Sequence, residues 1–200
     1  MTRAKTKGVF CLEGDWDGDL KSRKSVQPVL QLLEHSGYPS IPSIRRDVGT
    51  VPELEHYLKK WCLKRHKDYP ILFLAFHGGP GTLEVGDSKT SVDLDWLEER
   101  LAGACKGRVI HLGSCQTMNV HGSRLNKFLK TTGALAVCGY KIDVNWMYSA
   151  AFEIMLFGCF QRYSMTKQGM EAVKRLVNKE IPGLARAQAF HMVVSKGGRS

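Results

Sequence analysis

A histidine and a cysteine stand at the ends of two apolar runs. The first run, ILFLAFHGGPG, carries His77 into a turn rich in glycine, and the second, VIHLGSCQT, ends on Cys115. A thiol near its free pKa of about 8.5 is mostly protonated at neutral pH and needs a neighbouring base to become a ready thiolate. Histidine suits that task because its ring exchanges a proton near neutrality. Taken alone, His-Gly-Gly-Pro-Gly also fits the oxyanion turn of an α/β-hydrolase. That chemistry requires a G-x-S-x-G elbow downstream, then an acid and a histidine. No G-x-S-x-G occurs in the 200 residues, and Ser114 after Gly113 fails the pattern on both sides. Serine chemistry is therefore set aside.

The two residues meet only if their strands are neighbours, so the elements around them matter. Residues 71–76 are apolar on both faces, as a central parallel strand requires, and residues 108–113 form the next such run. Between them, a short polar hairpin (81–90) leads to a helix with Leu94, Leu97, Leu101 and Ala104 on one face. That helix is the crossover that makes the strands neighbours and brings their carboxyl ends to one sheet edge. The rest alternates in the same way. Strands are expected over 8–13, over 41–47 near an edge because of Pro42, and over 134–139. The first helix carries Val26, Val29, Leu30 and Leu33 and stops at Gly37. The second opens on a capping box, Thr50-Val51-Pro52-Glu53, and another spans about 121–131. Residues 145–160 read as a helix apolar nearly all round, hence buried. One or two basic helices broken at Pro182-Gly183 complete a basic C-terminal region of about 160–200. No repeat or linker divides the chain, so residues 1–200 are read as one domain of α/β class, a three-layer α/β/α sandwich around a mostly parallel sheet.

From ILFLAFHGGPG through SVDLDWLEERL to VIHLGSCQT, the chain resembles the CHAT branch of the caspase-like cysteine peptidases of clan CD. GALAVCGYKIDVNWMYSAAFEIMLF resembles the segment after the cysteine in that branch, and the similarity spans roughly residues 8–160. It implies a caspase-like fold and a cysteine endopeptidase acting on a protein or peptide substrate. Cys115 would be the nucleophile and His77 the base. The backbone N–H groups of Gly78 and Cys115 would form the oxyanion hole. No cofactor or metal is implied. Two departures stand out. Gly113 occupies the place where caspases proper carry a glutamine that helps read the substrate. Only 18 residues (116–133) separate Cys115 from the next strand. Activation by cutting an internal linker does not fit so short a segment, and control by a regulatory or sensor protein is the expectation instead.

Composition narrows the remaining classes. No run approaches the roughly 18 apolar residues of a membrane span, and the basic N-terminus has too short an apolar part for a signal peptide. A cytoplasmic location and no membrane partner are expected. Cysteines 11, 62, 105, 115, 138 and 159 form no C-x-x-C pair, so neither a zinc site nor a disulfide framework is indicated. The net charge of +10 is concentrated at the ends, with eight Lys or Arg against two acids in 160–200. Such charge favours anionic partners, yet no nucleic-acid motif accompanies it and nucleic acid is not favoured. A catalytically silent caspase-like adaptor that docks through this region is the rival reading.

EGDWDGD is the opposite anomaly: Glu13, Asp15, Asp17 and Asp19 occupy alternate positions after the first strand of a basic chain. Its glycine and position 26, a valine, do not fit a calcium loop. Clan members that cut after Lys or Arg place acids in the pocket for that residue, so Asp15 and Asp17 are the candidate substrate-binding residues; a plain solvated turn is the alternative. His111 reads as a core histidine. His121 could approach Cys115 from the start of its helix, and Asp143 and Trp146 are placed to line a groove or, for Trp146, the core.

Overall fold

The computed structural model describes residues 6–19, 21–35, 40–86 and 90–196. Gly37, expected as a helix stop, lies outside them, as does the tip of the hairpin at 87–89. The elements run β1 (Val9–Glu13), α1 (Gln27–His35), β2 (Ser43–Asp47), α2 (Val51–Cys62), β3 (Ile71–Ala75) and β4 (His77–Gly79). They continue with β5 (Thr82–Val85), β6 (Thr90–Asp93), α3 (Leu94–Arg100), β7 (Val109–Leu112), α4 (Gly122–Thr132) and β8 (Ala136–Tyr140). The chain then forms α5 (Trp146–Gln161), α6 (Lys167–Glu180), α7 (Pro182–Ala187) and β9 (Phe190–Val194).

Side-chain alternation sorts the strands into two cores. Ile71, Phe73 and Ala75 of β3 face one cluster with α1, α5, α6 and α7, while Leu72 and Leu74 face another with α2, α3 and α4. β1 divides the same way, with Val9 and Cys11 on the first side and Phe10 and Leu12 on the second. Helices thus cover both faces of one sheet of order β2-β1-β3-β7-β8-β9, parallel except at β8–β9. The α/β/α sandwich and the edge position of the Pro42 strand are as expected. β3 and β7 pair directly, in register from Ile71–Val109 to Leu74–Leu112. Their carboxyl ends, and the residues just beyond, therefore lie side by side.

Three details differ from the sequence reading. The hairpin is a three-stranded antiparallel sheet, because His77–Gly79 itself pairs with Thr82–Glu84. The basic tail does not end in helix: FHMVV forms β9, an edge strand whose Met192 and Val194 reach the core while its other positions are half-exposed. Five half-covered residues after an Ala- and Arg-rich helix carry little strand periodicity. Helix α5 is buried on one side only. Phe152, Leu156 and Phe157 pack on the sheet, whereas Met147 and Tyr148 are 70% and 57% exposed.

Candidate active site

Strand pairing delivers His77 and Cys115 to one edge, and loop contacts then hold them. The turn carrying Cys115 is tied to the loop after β8, with the Gln116 N–H donating to Ile142 O (3.1 Å) and the Met118 N–H to Tyr140 O (3.0 Å). The Thr117 hydroxyl donates to Thr82 O (3.2 Å), which joins the turn to the hairpin bearing His77. Gln116 has φ +56°, the left-handed region that a non-glycine residue enters at a cost. Gly78 sits where the two segments touch: a Cβ there would lie 2.7 Å from Thr117 Oγ1 and 2.9 Å from Ser114 Cβ. Only glycine permits that approach.

The third wall comes from the loop after β1, organised by Glu13. This carboxylate is 1% exposed and accepts from Trp16 Nε1 (2.7 Å), Ser25 Oγ (2.9 Å), the Val26 N–H (2.7 Å) and Arg45 Nε. Trp16 is thereby fixed edge-on to the His77 ring (centroids 5.2 Å apart) and to Trp146 (4.8 Å). Its carbonyl oxygen receives His77 Nε2 at 2.6 Å. A carbonyl can only accept, so Nε2 carries the proton and, in the neutral ring, Nδ1 carries the lone pair. Among the described residues Nδ1 has no hydrogen-bond partner.

His77 and Cys115 line a single cavity of about 220 Å³ with Trp16, Trp146, Val144 and Glu153. No hydrogen bond joins the thiol to the ring. Cys115 Sγ instead accepts from the Val144 N–H at 3.5 Å. Burial first, and the Asp143 carboxylate after it, push this thiol above its ordinary value, with the Val144 N–H pulling the other way. The thiol rests neutral. By contrast, a hydrogen bond from Cys105 and the Arg108 guanidinium draw the half-buried Cys62 thiol down, against burial. Asp143→Asn should therefore lower the Cys115 thiol and speed its alkylation at pH 7, while an amide oxygen still serves the Gln116 side chain bound there at 2.9 Å. Mass spectrometry resolving Cys115 from Cys62 checks this; an unchanged or slower Cys115 rate would contradict it.

The carboxylates of Asp15 and Asp17 in the acidic loop are engaged elsewhere. Asp15 Oδ1 accepts from the N–H groups of Asp17 and Gly18 (3.1 and 3.0 Å), closing a turn. Asp17 binds Ser22 Oγ and Lys24 Nζ, both at 2.6 Å, and the lysine first and the serine after it hold its carboxyl below the usual range. Neither residue lines the His77–Cys115 cavity; Asp15 lines an adjoining open groove with Arg23, Lys24 and Arg45. His121 caps α4, its ring accepting from the Ser123 N–H. His111 is fully buried: Nε2 donates to Glu153 Oε1 (3.4 Å) and Nδ1 faces Cys138 Sγ (3.6 Å). Sequence reasoning missed Glu153, although one acid within the apolar FEIMLF stretch was a visible signal. The Trp16 carbonyl and the Val144 N–H gave none, since backbone groups are the same at every position.

Among the described residues no helix is long and apolar enough to cross a membrane, and no group of three or more His, Cys, Asp or Glu could hold a metal. A model described as "Family of unknown function (DUF6642)" matches residues 6–192. No curated protein matches the chain. Among solved structures, caspase-1 from Spodoptera frugiperda is similar with a TM-score of 0.52 at 14% identity, over 97% of this chain and 88% of that one. A structure of pro-sf-caspase-1 is similar with a TM-score of 0.51 at 13% identity, over 90% and 86%. At such identities the likeness is one of fold. The fold is caspase-like, and the narrower CHAT resemblance rests on the motifs alone.

Proposed function

The chain belongs to the family of unknown function DUF6642, and we propose that it is a cysteine endopeptidase working through a His77–Cys115 dyad. The observation that carries this reading is the shared cavity, into which successive parallel strands deliver an imidazole and a thiol. His77 is held by the Trp16 carbonyl with its Nδ1 left to take a proton. Peptide attack would proceed with the thiol proton passing to Nδ1 as sulfur bonds to the carbonyl carbon. The N–H groups of Gly78 and Cys115 are assigned to the developing oxyanion. The imidazolium then protonates the leaving amine, and water hydrolyses the acyl-enzyme. A thiol that rests neutral suits a peptidase kept quiet until a regulatory or sensor protein reshapes the 141–145 loop, which carries both Asp143 and Val144.

The test is covalent capture. Peptidyl acyloxymethyl ketones spanning basic, acidic and apolar residues at the leading position should modify Cys115. His77→Ala should slow that capture by about 10²-fold or more. Labelling that ignores His77, or no adduct at Cys115 with any peptide, would favour the silent adaptor.

A further inference from the structure

The cavity beside the dyad has an acidic residue in its lining. Among the described residues Glu153 is the only acid lining it, set among Val26, Val29, Phe76, Trp16 and Trp146. The residue is 3% exposed. Its Oε1 accepts from His111 Nε2 and from Tyr140 Oη (3.2 Å). Oε2 accepts from no described residue. A carboxylate oxygen that no protein group serves, in a residue lining a cavity, is available to a donor or a positive charge from a ligand. Burial pushes the Glu153 carboxyl above its ordinary range, even with His111 and Tyr140 drawing it down. Gly113 packs closely beside it: a Cβ there would stand 3.2 Å from Glu153 Oε1 and collide with the Phe73 ring.

We infer that Glu153 is the specificity-determining residue of this cavity, and that the ligand it selects is a cationic side chain, Lys or Arg, lodged against the wall that Trp16 and Trp146 form together. The stem of such a side chain is apolar and suits the valine and tryptophan walls. The tryptophan rings add cation–π attraction to the charged head. A guanidinium or ammonium donates to Oε2 in a desolvated site, where charge-assisted hydrogen bonds are strong. Asp15 and Asp17 are not needed for this, since their carboxylates already serve the loop and its lysine. That the bound cation belongs to a peptide substrate rests on the peptidase reading; the binding itself does not.

Protection of the thiol separates cation binding from peptide cleavage. Alkylation of Cys115 by iodoacetamide is measured in the full chain with n-butylguanidine or with its neutral isostere n-butylurea. Butylguanidine should protect at concentrations about tenfold or more below those of butylurea. Glu153→Gln should erase the difference, and Asp15→Ala/Asp17→Ala should leave it intact. Should Glu153→Gln fail to fold, Ala150→Leu, which fills the cavity one turn before Glu153, should abolish protection. Equal protection by both compounds, discrimination that survives Glu153→Gln or protection that survives Ala150→Leu, or discrimination lost with Asp15 and Asp17, would overturn the assignment. Should the chain cut peptides, the same carboxylate should favour Lys or Arg before the scissile bond over Gln by about tenfold or more. Protection without hydrolysis would leave Glu153 as a cation site and count against the peptidase.

Discussion

On the peptidase reading, Cys115→Ala should abolish peptide hydrolysis, lowering kcat by at least about 10³-fold, because among the described residues no other group in the cavity is free to form an acyl intermediate. His77 should not substitute: its Nε2 is committed to the Trp16 carbonyl, and the proposed role of its Nδ1 is that of base rather than acyl acceptor. Ser149 lines the same cavity, but its hydroxyl donates to Trp146 O at 2.9 Å. The variant should fold normally, since Cys115 contributes one long sulfur hydrogen bond and is only half-buried. Peptide turnover measured beside thermal unfolding separates the two effects. Residual activity within tenfold of the parent, at equal stability, would remove Cys115 from the chemistry.

Glu13→Ala should cost about 3–5 kcal/mol of stability, because several donors packed around one buried carboxylate lose their acceptor together. Arg45 would lose a carboxylate that it meets through Nε. The Trp16 indole N–H, the Ser25 hydroxyl and the Val26 N–H would lose their acceptor at the same time. The effect should extend to the site, because Trp16 supplies both the carbonyl that orients His77 and one wall of the cavity. Urea unfolding gives the first quantity, and Cys115 capture by a peptidyl ketone gives the second. A stability loss below about 1 kcal/mol would mean that water or a rearranged loop replaces the carboxylate. Such a result would leave Glu13 as a dispensable strand end rather than the anchor of the β1 loop.

The alternation of apolar strands and amphipathic helices was written into the chain. ILFLA and VFCLE are apolar at nearly every position because both their faces are covered, and the Leu94, Leu97, Leu101 stripe marked the crossover from β3 to β7. Those patterns are local, and with the spacing of His77 and Cys115 they were enough to indicate an α/β/α sandwich with both residues at one edge. Periodicity was silent where an element is half-covered. β9 escaped notice for that reason, and so did the one-sided burial of α5, whose outward Met147 and Tyr148 look no different in sequence from its inward Phe152 and Phe157.

The interior of the site was a tertiary decision. Its cavity joins residues from the β1 loop, the ends of β3 and β7, the loop after β8 and the first turns of α5. No sequence interval relates Trp16 to His77 or Glu153 to Cys115. The acids most visible in the sequence, Asp15 and Asp17, are turned to their own loop by hydrogen bonds two to seven residues away. The acid in the cavity was a lone glutamate in a hydrophobic helix. Sequence patterns report which face of an element is buried, because hydrophobic transfer acts residue by residue. Which polar groups converge on one point depends on strand order, register and packing between distant segments, and only the assembled fold sets these.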